Sequence, residues 1–235
     1  MDSRSAAQRL IKGGKVTFAD GTPVKKPSQM IIDASELIVT EPLRFVSRGG
    51  DKLAAWLERH PLRIEGQHCL DVGASTGGFT DCLLQGGATH VTCIDVGHRQ
   101  LHPKISSNPS IDNLEGINAK DLDAIELPYP HYPIVVADLS FISLTKVLDP
   151  IWNRVSPSGI LIMLVKPQFE SSKAVVKRGK GIIRQESDRQ AALNQVIGTA
   201  KQLPGARVIG SIDCPVVGGD GNHEYLLGAS KEYSD

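Results

Sequence analysis

Four ionisable residues occupy positions of this 235-residue sequence where a plain hydrophobic core would not need them. Lys52 lies in RGGDKL, Asp138 in ADLSF, Lys166 in LVKPQFE and Glu224 in GNHEY. Lys166 ends an apolar run, and a cation there is costly to bury unless it has a partner or a chemical role. Lysine can act as a base where burial and nearby positive charge favour its neutral form. Singly, each residue also has an ordinary explanation, since Asp138 could cap a helix and the others could reach solvent.

A glycine-rich turn between an apolar strand and a helix predicts a ligand site. The stretch LDVGASTGGFTDCLLQGG, residues 70–87, has this pattern, and glycine allows the backbone to approach a ligand closely. No Lys follows Gly77 or Gly78, which excludes a phosphate-binding P-loop. The spacing from Gly73 also differs from the G-x-G-x-x-G of dinucleotide sites. An acidic strand end followed by this glycine spacing is typical of S-adenosylmethionine sites.

The next strand, HVTCID, also ends in an acidic residue, Asp95, whose carboxylate can accept hydrogen bonds from ribose hydroxyls. This feature suits NAD and S-adenosylmethionine alike, so the glycine spacing decides between them. Asn118 and Asp121 could meet the adenine edge or could be ordinary loop residues. We expect S-adenosylmethionine to be bound by Asp71, Gly73, Ala74, Ser75, Thr76, Gly77, Gly78, Phe79, Asp95, Asn118 and Asp138.

The elements that must position these residues form two parts. Residues 1–40 predict a small module, with a helix at 5–12, a hairpin of 15–18 with 24–26, and another strand at 36–39. A linker at 40–42 follows, and residues 43–235 form the second part.

The second part alternates helices with apolar strands. The helices are predicted at 51–60, 145–155 and 187–203, and the strands at 68–71, 91–95, 134–138, 160–165, 207–212 and 224–228. Apolar runs without strict alternation are typical of strands buried on both faces. We therefore expect a doubly wound α/β sheet that finishes with an antiparallel strand. Its ligand would bind at the carboxyl ends of the strands, where Asp71, Asp95 and Asp138 fall.

Composition excludes several classes. Lys plus Arg and Asp plus Glu both number 26, so no overall charge indicates a nucleic-acid partner, although residues 1–32 are locally basic. The four cysteines lack C-x-x-C spacing, so neither a metal site nor a disulfide framework is expected. The longest apolar run, 160–165, is too short to cross a bilayer, and the first residues lack the apolar region of a signal peptide. A cytoplasmic protein is expected.

Taken together, the four ionisable residues match in order and local motif the Lys-Asp-Lys-Glu tetrad of FtsJ-like 2′-O-ribose methyltransferases. The motifs VSRGGDKL, LDVGASTGGFTDCLLQGGA, ADLSFISL, LVKPQFE and GNHEYLL resemble the TlyA family of rRNA methyltransferases, which joins a small S4 RNA-binding module to an FtsJ-like domain. The resemblance implies a Rossmann-like methyltransferase fold and methyl transfer to the ribose 2′-OH of ribosomal RNA, with cytidine the usual target. It implies Lys166 as the general base and Lys52 as the residue that orients the hydroxyl, while Asp138 and Glu224 orient the two amines.

The N-terminal residues resemble the second half of an S4 module, because family members carry one more helix before this point. The resemblance therefore implies a truncated α+β module that binds ribosomal RNA or a ribosomal subunit by shape. The cations expected to contact RNA phosphates are Arg4, Arg9, Lys12, Lys15, Lys25 and Lys26.

Two other functions compete with RNA methylation. A ribosome-assembly factor could retain the cofactor pocket without transferring a methyl group, although four intact tetrad residues weigh against it. Relatives are often called haemolysins, and lysis needs a spanning segment or an exposed amphipathic helix. The apolar stripe of helix 187–203 should instead be needed by the core of the sheet. Amino-group methylation is disfavoured because the Asn/Asp-Pro-Pro-aromatic motif is absent.

Overall fold

The long apolar runs of the sequence form the centre of a seven-stranded sheet in the computed structural model, which describes residues 4–31, 37–218 and 220–232. The strands of this sheet are β3 (His68–Val72), β4 (His90–Asp95), β5 (Ile111–Glu115), β6 (Tyr132–Ala137), β7 (Val155–Val165), β8 (Ala206–Asp213) and β9 (Tyr225–Lys231). Their order is β5-β4-β3-β6-β7-β9-β8. The first five strands are parallel, and β9 runs antiparallel to both β7 and β8. The predicted doubly wound α/β sheet with an antiparallel last strand is confirmed.

Successive residues of the central strands enter two separate hydrophobic cores, one on each face of the sheet. In β7, Leu161 and Met163 belong to one core, whereas Ile162 and Leu164 belong to the other. Successive side chains of a strand point to opposite faces of the sheet, so a strand that is buried on both faces carries apolar residues at nearly every position. This is why the parallel strands read as continuous apolar runs.

Helices cover both faces. They are α1 (Arg4–Lys12), α2 (Arg48–Arg59), α3 (Gly78–Gln85), α4 (Pro103–Ser106), α5 (Leu148–Asn153), α6 (Pro167–Glu170), α7 (Lys173–Arg178) and α8 (Glu186–Ala200), with short 3-10 helices at Ala119–Ala124 and Leu144–Lys146. Trp56 of α2 and Leu83 of α3 pack on one face, and Trp152 of α5 and Val196 of α8 pack on the other. No helix among the described residues is long and apolar enough to cross a membrane.

The N-terminal residues form a small module with its own core. β1 (Val16–Phe18) pairs antiparallel with β2 (Leu37–Val39), and Leu10 of α1 packs with Val16 and Val24. The predicted hairpin of 15–18 with 24–26 is wrong in its second strand. Pro23 makes an isolated bridge to Thr17, flanked by hydrogen bonds from the Phe18 N–H to Thr22 and from the Val24 N–H to Val16, and no strand follows over residues 24–26. The predicted strand at 36–39 is confirmed over Leu37–Val39, and Glu36 lies outside the described residues.

Several predicted bounds of the larger part differ from the structure. The helix at 51–60 begins earlier, at Arg48, because the Ser47 hydroxyl accepts a hydrogen bond from the Gly49 N–H and caps it. The helix predicted at 145–155 is wrong in extent, because a 3-10 turn precedes the short α5 and Val155 already begins β7. The edge strand β5 was not predicted. The division of the chain at residues 40–43 and the S4-like character of the first module remain predictions.

Candidate active site

The carboxyl ends of β3, β4 and β6 border a cleft of about 1040 Å³, which Gln168 and Phe169 of α6 also line. The strand order reverses between β3 and β6, and ligands of open α/β sheets bind outside the strand ends at such a reversal. Of the residues predicted to bind the cofactor, five line this cleft: Gly73, Ser75, Asp95, Asn118 and Asp138.

Gly73 lies where β3 and β6 come closest at this edge. Its φ is +86°, and a Cβ on it would lie 2.5 Å from the backbone oxygen of Asp138. Its N–H donates to the Ile94 carbonyl oxygen at 2.7 Å, which ties the turn to β4. No other residue type fits this position without moving the backbone of Asp138. The glycine turn therefore forms the floor of the cleft between the two central strands.

The Asp95 carboxylate is held at the cleft by backbone donors. Oδ2 accepts from the Ser75 N–H at 2.8 Å, and Oδ1 accepts from the Gly97 N–H at 2.7 Å. Two fixed hydrogen bonds orient the carboxylate and leave lone pairs that can accept hydroxyl donors. The neighbouring Val96 is 67% exposed and lines the cleft with Asn118, so an apolar wall stands beside these polar groups. Such a wall suits the face of an adenine ring.

Other predicted cofactor residues shape the turn without lining the cleft. Gly77 has φ of +85° and immediately precedes α3, and a Cβ on Gly78 would lie 2.1 Å from the hydroxyl oxygen of Ser47, which caps α2. Ala74 and Phe79 are buried in the core between the sheet and α2–α3. Thr76 is exposed, and its backbone oxygen accepts from the His102 N–H.

Asp71 is fully buried behind the turn and does not line the cleft. Its Oδ2 accepts a 2.6 Å hydrogen bond from the Thr80 hydroxyl, while Oδ1 has no hydrogen-bond partner. Burial raises the pKa of Asp71 to about 7, and the Thr80 hydrogen bond opposes this rise. The structure therefore places Asp71 as a buried support of the strand end.

The tetrad residues form two ion pairs, one buried and one partly buried, that join distant parts of the chain. Lys52 Nζ of α2 donates to Glu224 Oε2 at 2.5 Å, just before β9, and these side chains are only 9% and 4% exposed. Lys166 Nζ, at the end of β7, lies 2.6 Å from Asp138 Oδ1 at the end of β6. A buried charge needs a partner of this kind, because an unpaired one would be strongly destabilising.

Ser140 completes the surroundings of the Lys166 amine. Lys166 donates a hydrogen bond to Ser140 Oγ at 2.9 Å, beside its ion pair with Asp138. Of the four tetrad residues, Asp138 lines the cleft, and Lys166 lies beside Asp138 through their ion pair. Lys52 and Glu224 form the second pair.

Sequence reasoning did not single out Phe141 and Glu170. Phe141 lines the cleft with its side chain 93% exposed and has a left-handed φ of +65°, a conformation that a bulky residue rarely adopts. Exposed and strained residues concentrate at functional sites. Glu170 is a buried carboxylate on α6. The only signal for either is its place inside a motif already noted, ADLSFISL or LVKPQFE.

The predicted RNA contacts have mixed surroundings. Arg9 pairs with Asp51 of α2 at 3.1 Å, and Lys15 pairs with Glu41 at 2.7 Å. The remaining four cations, Arg4, Lys12, Lys25 and Lys26, are exposed. A further set of lysines, absent from the sequence prediction, lines the cleft: Lys120, Lys146, Lys173 and Lys177.

Comparisons with known proteins agree with this geometry. The profile of the FtsJ-like methyltransferase family matches residues 45–231. The chain is 41% identical to the 16S/23S rRNA (cytidine-2′-O)-methyltransferase TlyA of Mycobacterium tuberculosis, over 96% of this chain and 83% of that protein. It is 38% identical to Hemolysin A of Brachyspira hyodysenteriae, over 96% of this chain and 92% of that protein.

Solved structures agree as well. A crystal structure from Lactococcus lactis that carries the hemolysin name is 41% identical, with a TM-score of 0.76 over 81% of this chain and 90% of that one. An O-methyltransferase of Bacillus cereus in complex with SAH has a TM-score of 0.53 over 81% of this chain and 84% of that one, and at 15% identity it shares the fold. The Gly73 turn, the oriented Asp95 carboxylate and the apolar wall at Val96 fit S-adenosylmethionine, which is the cofactor. The chain therefore belongs to the FtsJ-like methyltransferase family, as a member of its TlyA branch.

Proposed function

We infer that this protein methylates the 2′-hydroxyl of a ribose in ribosomal RNA, with cytidine as the target nucleotide and Lys166 as the general base. The observation that carries the proposal is the pair of lysine–carboxylate contacts: Lys166 pairs with Asp138, which lines the cofactor cleft, and Lys52 pairs with Glu224. The Mycobacterium tuberculosis relative is a 16S/23S rRNA (cytidine-2′-O)-methyltransferase, which supports the same substrate.

The chemistry requires a base beside the methyl donor. When bound, S-adenosylmethionine supplies an electrophilic methyl group on a sulfonium. A ribose hydroxyl is a weak nucleophile, so its proton must be taken as the oxygen attacks. Lys166 in its neutral form takes that proton, while Asp138 and Ser140 fix the direction of its amine. Glu224 holds Lys52, whose ammonium donates to the attacking oxygen and orients it.

The rim of the cleft suits a nucleotide. Phe141 lines the cleft and its ring is exposed, and aromatic rings of this kind can stack on unpaired bases. Four lysines line the same cleft and could contact RNA phosphates: Lys120, Lys146, Lys173 and Lys177. The exposed cations of the N-terminal module, Arg4, Lys12, Lys25 and Lys26, would add phosphate contacts outside the cleft. These contacts carry little sequence information, so recognition depends on the shape of the folded RNA.

The haemolysin name of some relatives suggests a lytic alternative, which the described helices do not favour. The apolar residues of α8, Leu193, Val196 and Ala200, lie in the core against the sheet. They are therefore unavailable to a bilayer while the protein is folded.

The test is incubation of unmodified ribosomal subunits with the protein and S-adenosylmethionine, followed by mass spectrometry of the nucleosides. We expect 2′-O-methylcytidine with the wild-type protein and none with Lys166→Ala. Lys201→Ala is the matched control, because Lys201 is an exposed lysine at the end of α8, and it should retain full activity. Methylation that survives in Lys166→Ala would remove the general-base role. Absence of methylation by a wild-type protein that binds the cofactor would instead favour a non-catalytic assembly factor.

A further inference from the structure

Glu170 is a buried carboxylate that the proposed transfer step does not use. It stands four residues after Lys166, on α6, and is only 7% exposed. Its Oε2 accepts a 2.5 Å hydrogen bond from the Ser143 hydroxyl, and its Oε1 accepts from the Leu144 N–H at 2.8 Å. Among the described residues no Lys, Arg or His forms an ion pair with it. A charge without a cation in this setting is costly and calls for a compensating role.

The two donors to Glu170 end the segment that carries the partners of Lys166. We call residues 138–144 the catalytic loop, since it begins with Asp138 and includes Ser140 and Phe141. At its start, the Asp138 N–H donates to the Val72 carbonyl oxygen at 3.0 Å, so that end is fixed to β3. Glu170 fixes the other end.

Contacts from the α6 segment also reach the middle of the catalytic loop. Lys166, the residue before α6, donates to Ser140 Oγ, and the Phe169 ring lies 5.4 Å from the Phe141 ring. Glu170 thus supplies the last of three attachments between one short segment and one loop. The loop needs them, because Phe141 holds a left-handed φ that is unfavourable for its residue type.

The two contacts of Glu170 can be removed or kept by substitution. An ionised Glu170 only accepts, so the Ser143 hydroxyl then donates to it and the Thr145 hydroxyl, 2.7 Å away, donates to Ser143 Oγ. Glutamine at position 170 keeps an acceptor for the Leu144 N–H, and the Ser143 hydroxyl can turn to accept from its amide N–H₂ and donate to Thr145. Alanine removes both contacts, so Glu170→Ala is the disruptive change and Glu170→Gln the conservative one.

We propose that Glu170 is a positioning residue, which fixes the far end of the catalytic loop so that Asp138 and Ser140 hold the Lys166 amine in one orientation. The consequence for catalysis rests on the proposed function, whereas the consequence for the loop does not. Burial raises the pKa of Glu170, which agrees with a carboxylate kept at a cost to stability.

The test compares Glu170→Ala and Glu170→Gln with wild type by steady-state kinetics on ribosomal subunits and by hydrogen–deuterium exchange. We expect kcat of Glu170→Ala to fall at least tenfold, with KM for S-adenosylmethionine changed less than threefold. In that variant, amides of the catalytic loop, Leu144 above all, should exchange at least tenfold faster, while those of β7 remain unchanged. Glu170→Gln should restore both readouts most of the way to wild type, because its amide can meet both partners. Glu186→Gln, at an exposed glutamate that begins α8, is the matched control and should behave as wild type.

Two results would overturn the proposal: unchanged exchange in the catalytic loop, or a fall in kcat that merely follows a fall in melting temperature. If Glu170→Ala does not fold, Ser143→Ala removes the hydroxyl donor from the opposite side, and the same readouts decide. If the wild-type protein leaves ribosomal RNA unmodified, the proposed function fails. Loop exchange in the variants then still decides whether Glu170 holds the loop.

Discussion

Arg9 Nη2 lies 3.1 Å from Asp51 Oδ2, so α1 of the N-terminal module is paired with the residue that precedes Lys52 on α2. Arg9 Nη1 also donates to the Phe45 carbonyl oxygen at 3.3 Å, in the segment that joins the two parts of the chain. The Arg9 side chain is 16% exposed and that of Asp51 is 38% exposed. A cation that the sequence assigned to RNA thus contacts the helix that carries a tetrad residue.

We expect a double-mutant cycle of Arg9→Ala and Asp51→Ala to measure a coupling near the upper end of the range for partly exposed pairs, about 1 kcal/mol. The more exposed Lys15–Glu41 pair is the comparison, and its coupling should be below about 0.5 kcal/mol. Chemical unfolding gives both values. Equal couplings would mean that Arg9 does not hold α1 on α2.

Lys166→Arg should be as inactive as Lys166→Ala, with a rate loss of roughly 10²–10⁴-fold. Arginine keeps the positive charge beside Asp138 but is always protonated, so it cannot accept the proton of the hydroxyl. Single-turnover methylation measures the effect, and calorimetric titration with S-adenosylhomocysteine checks that the cofactor still binds. Substantial activity in Lys166→Arg would show that the residue acts through its charge alone.

Gly73→Ala should weaken S-adenosylhomocysteine binding at least tenfold, because its Cβ would lie 2.5 Å from the Asp138 backbone oxygen and displace the cleft floor. Gly66→Ala isolates the effect of backbone strain. Gly66 has a similar φ of +78° but nothing within 4 Å of an added Cβ. Both variants should lose roughly 1–2 kcal/mol of stability from the left-handed conformation. Similar cofactor affinities in the two variants would contradict the steric role of Gly73.

Asp71→Asn should flatten the dependence of stability on pH. Burial raises the pKa of Asp71 from 3.8 to about 7, so between these values the folded state binds more protons than the unfolded state. The free energy of unfolding therefore falls as pH rises, with a slope of at most about 1.4 kcal/mol per pH unit from this group. Urea unfolding between about pH 5 and pH 7 should show this slope in wild type and a smaller one in the variant. Parallel curves would mean that Asp71 does not titrate there.

Phe141→Ala should weaken RNA binding without destabilising the fold, because its ring is 93% exposed. Stacking on a base is worth about 1–3 kcal/mol, which corresponds to roughly a 5- to 150-fold loss of affinity. Phe141→Gly should show the same loss and gain stability, since glycine accepts the φ of +65°. Phe141→Tyr keeps a ring and is expected to retain affinity. Fluorescence anisotropy with an rRNA fragment compares the three, and unaltered binding by Phe141→Ala would exclude stacking.

Four of the strands that the sequence predicted are covered by helices on both faces of the sheet. The runs at 68–71, 91–95, 134–138 and 160–165 fall within β3, β4, β6 and β7 or one residue beyond, because each is covered on both faces. β5, at the sheet edge, reads IDNLE and is only half-buried, so its polar residues conceal it. The first residues of β7, VSPSG, conceal its beginning in the same way.

The sequence by itself determined the sheet, the glycine turn and the strand ends at which polar residues gather, because these depend on local patterns of apolar, glycine and acidic residues. Only the tertiary structure decided which of those polar residues meet. Lys52 and Glu224 are 172 positions apart in the chain, and their contact exists because α2 packs beside β9. The Arg9–Asp51 pair and the hydrogen bonds of Glu170 to the catalytic loop likewise depend on packing between separate elements. Side-chain direction and burial follow from packing between distant elements, and local pattern does not contain that information.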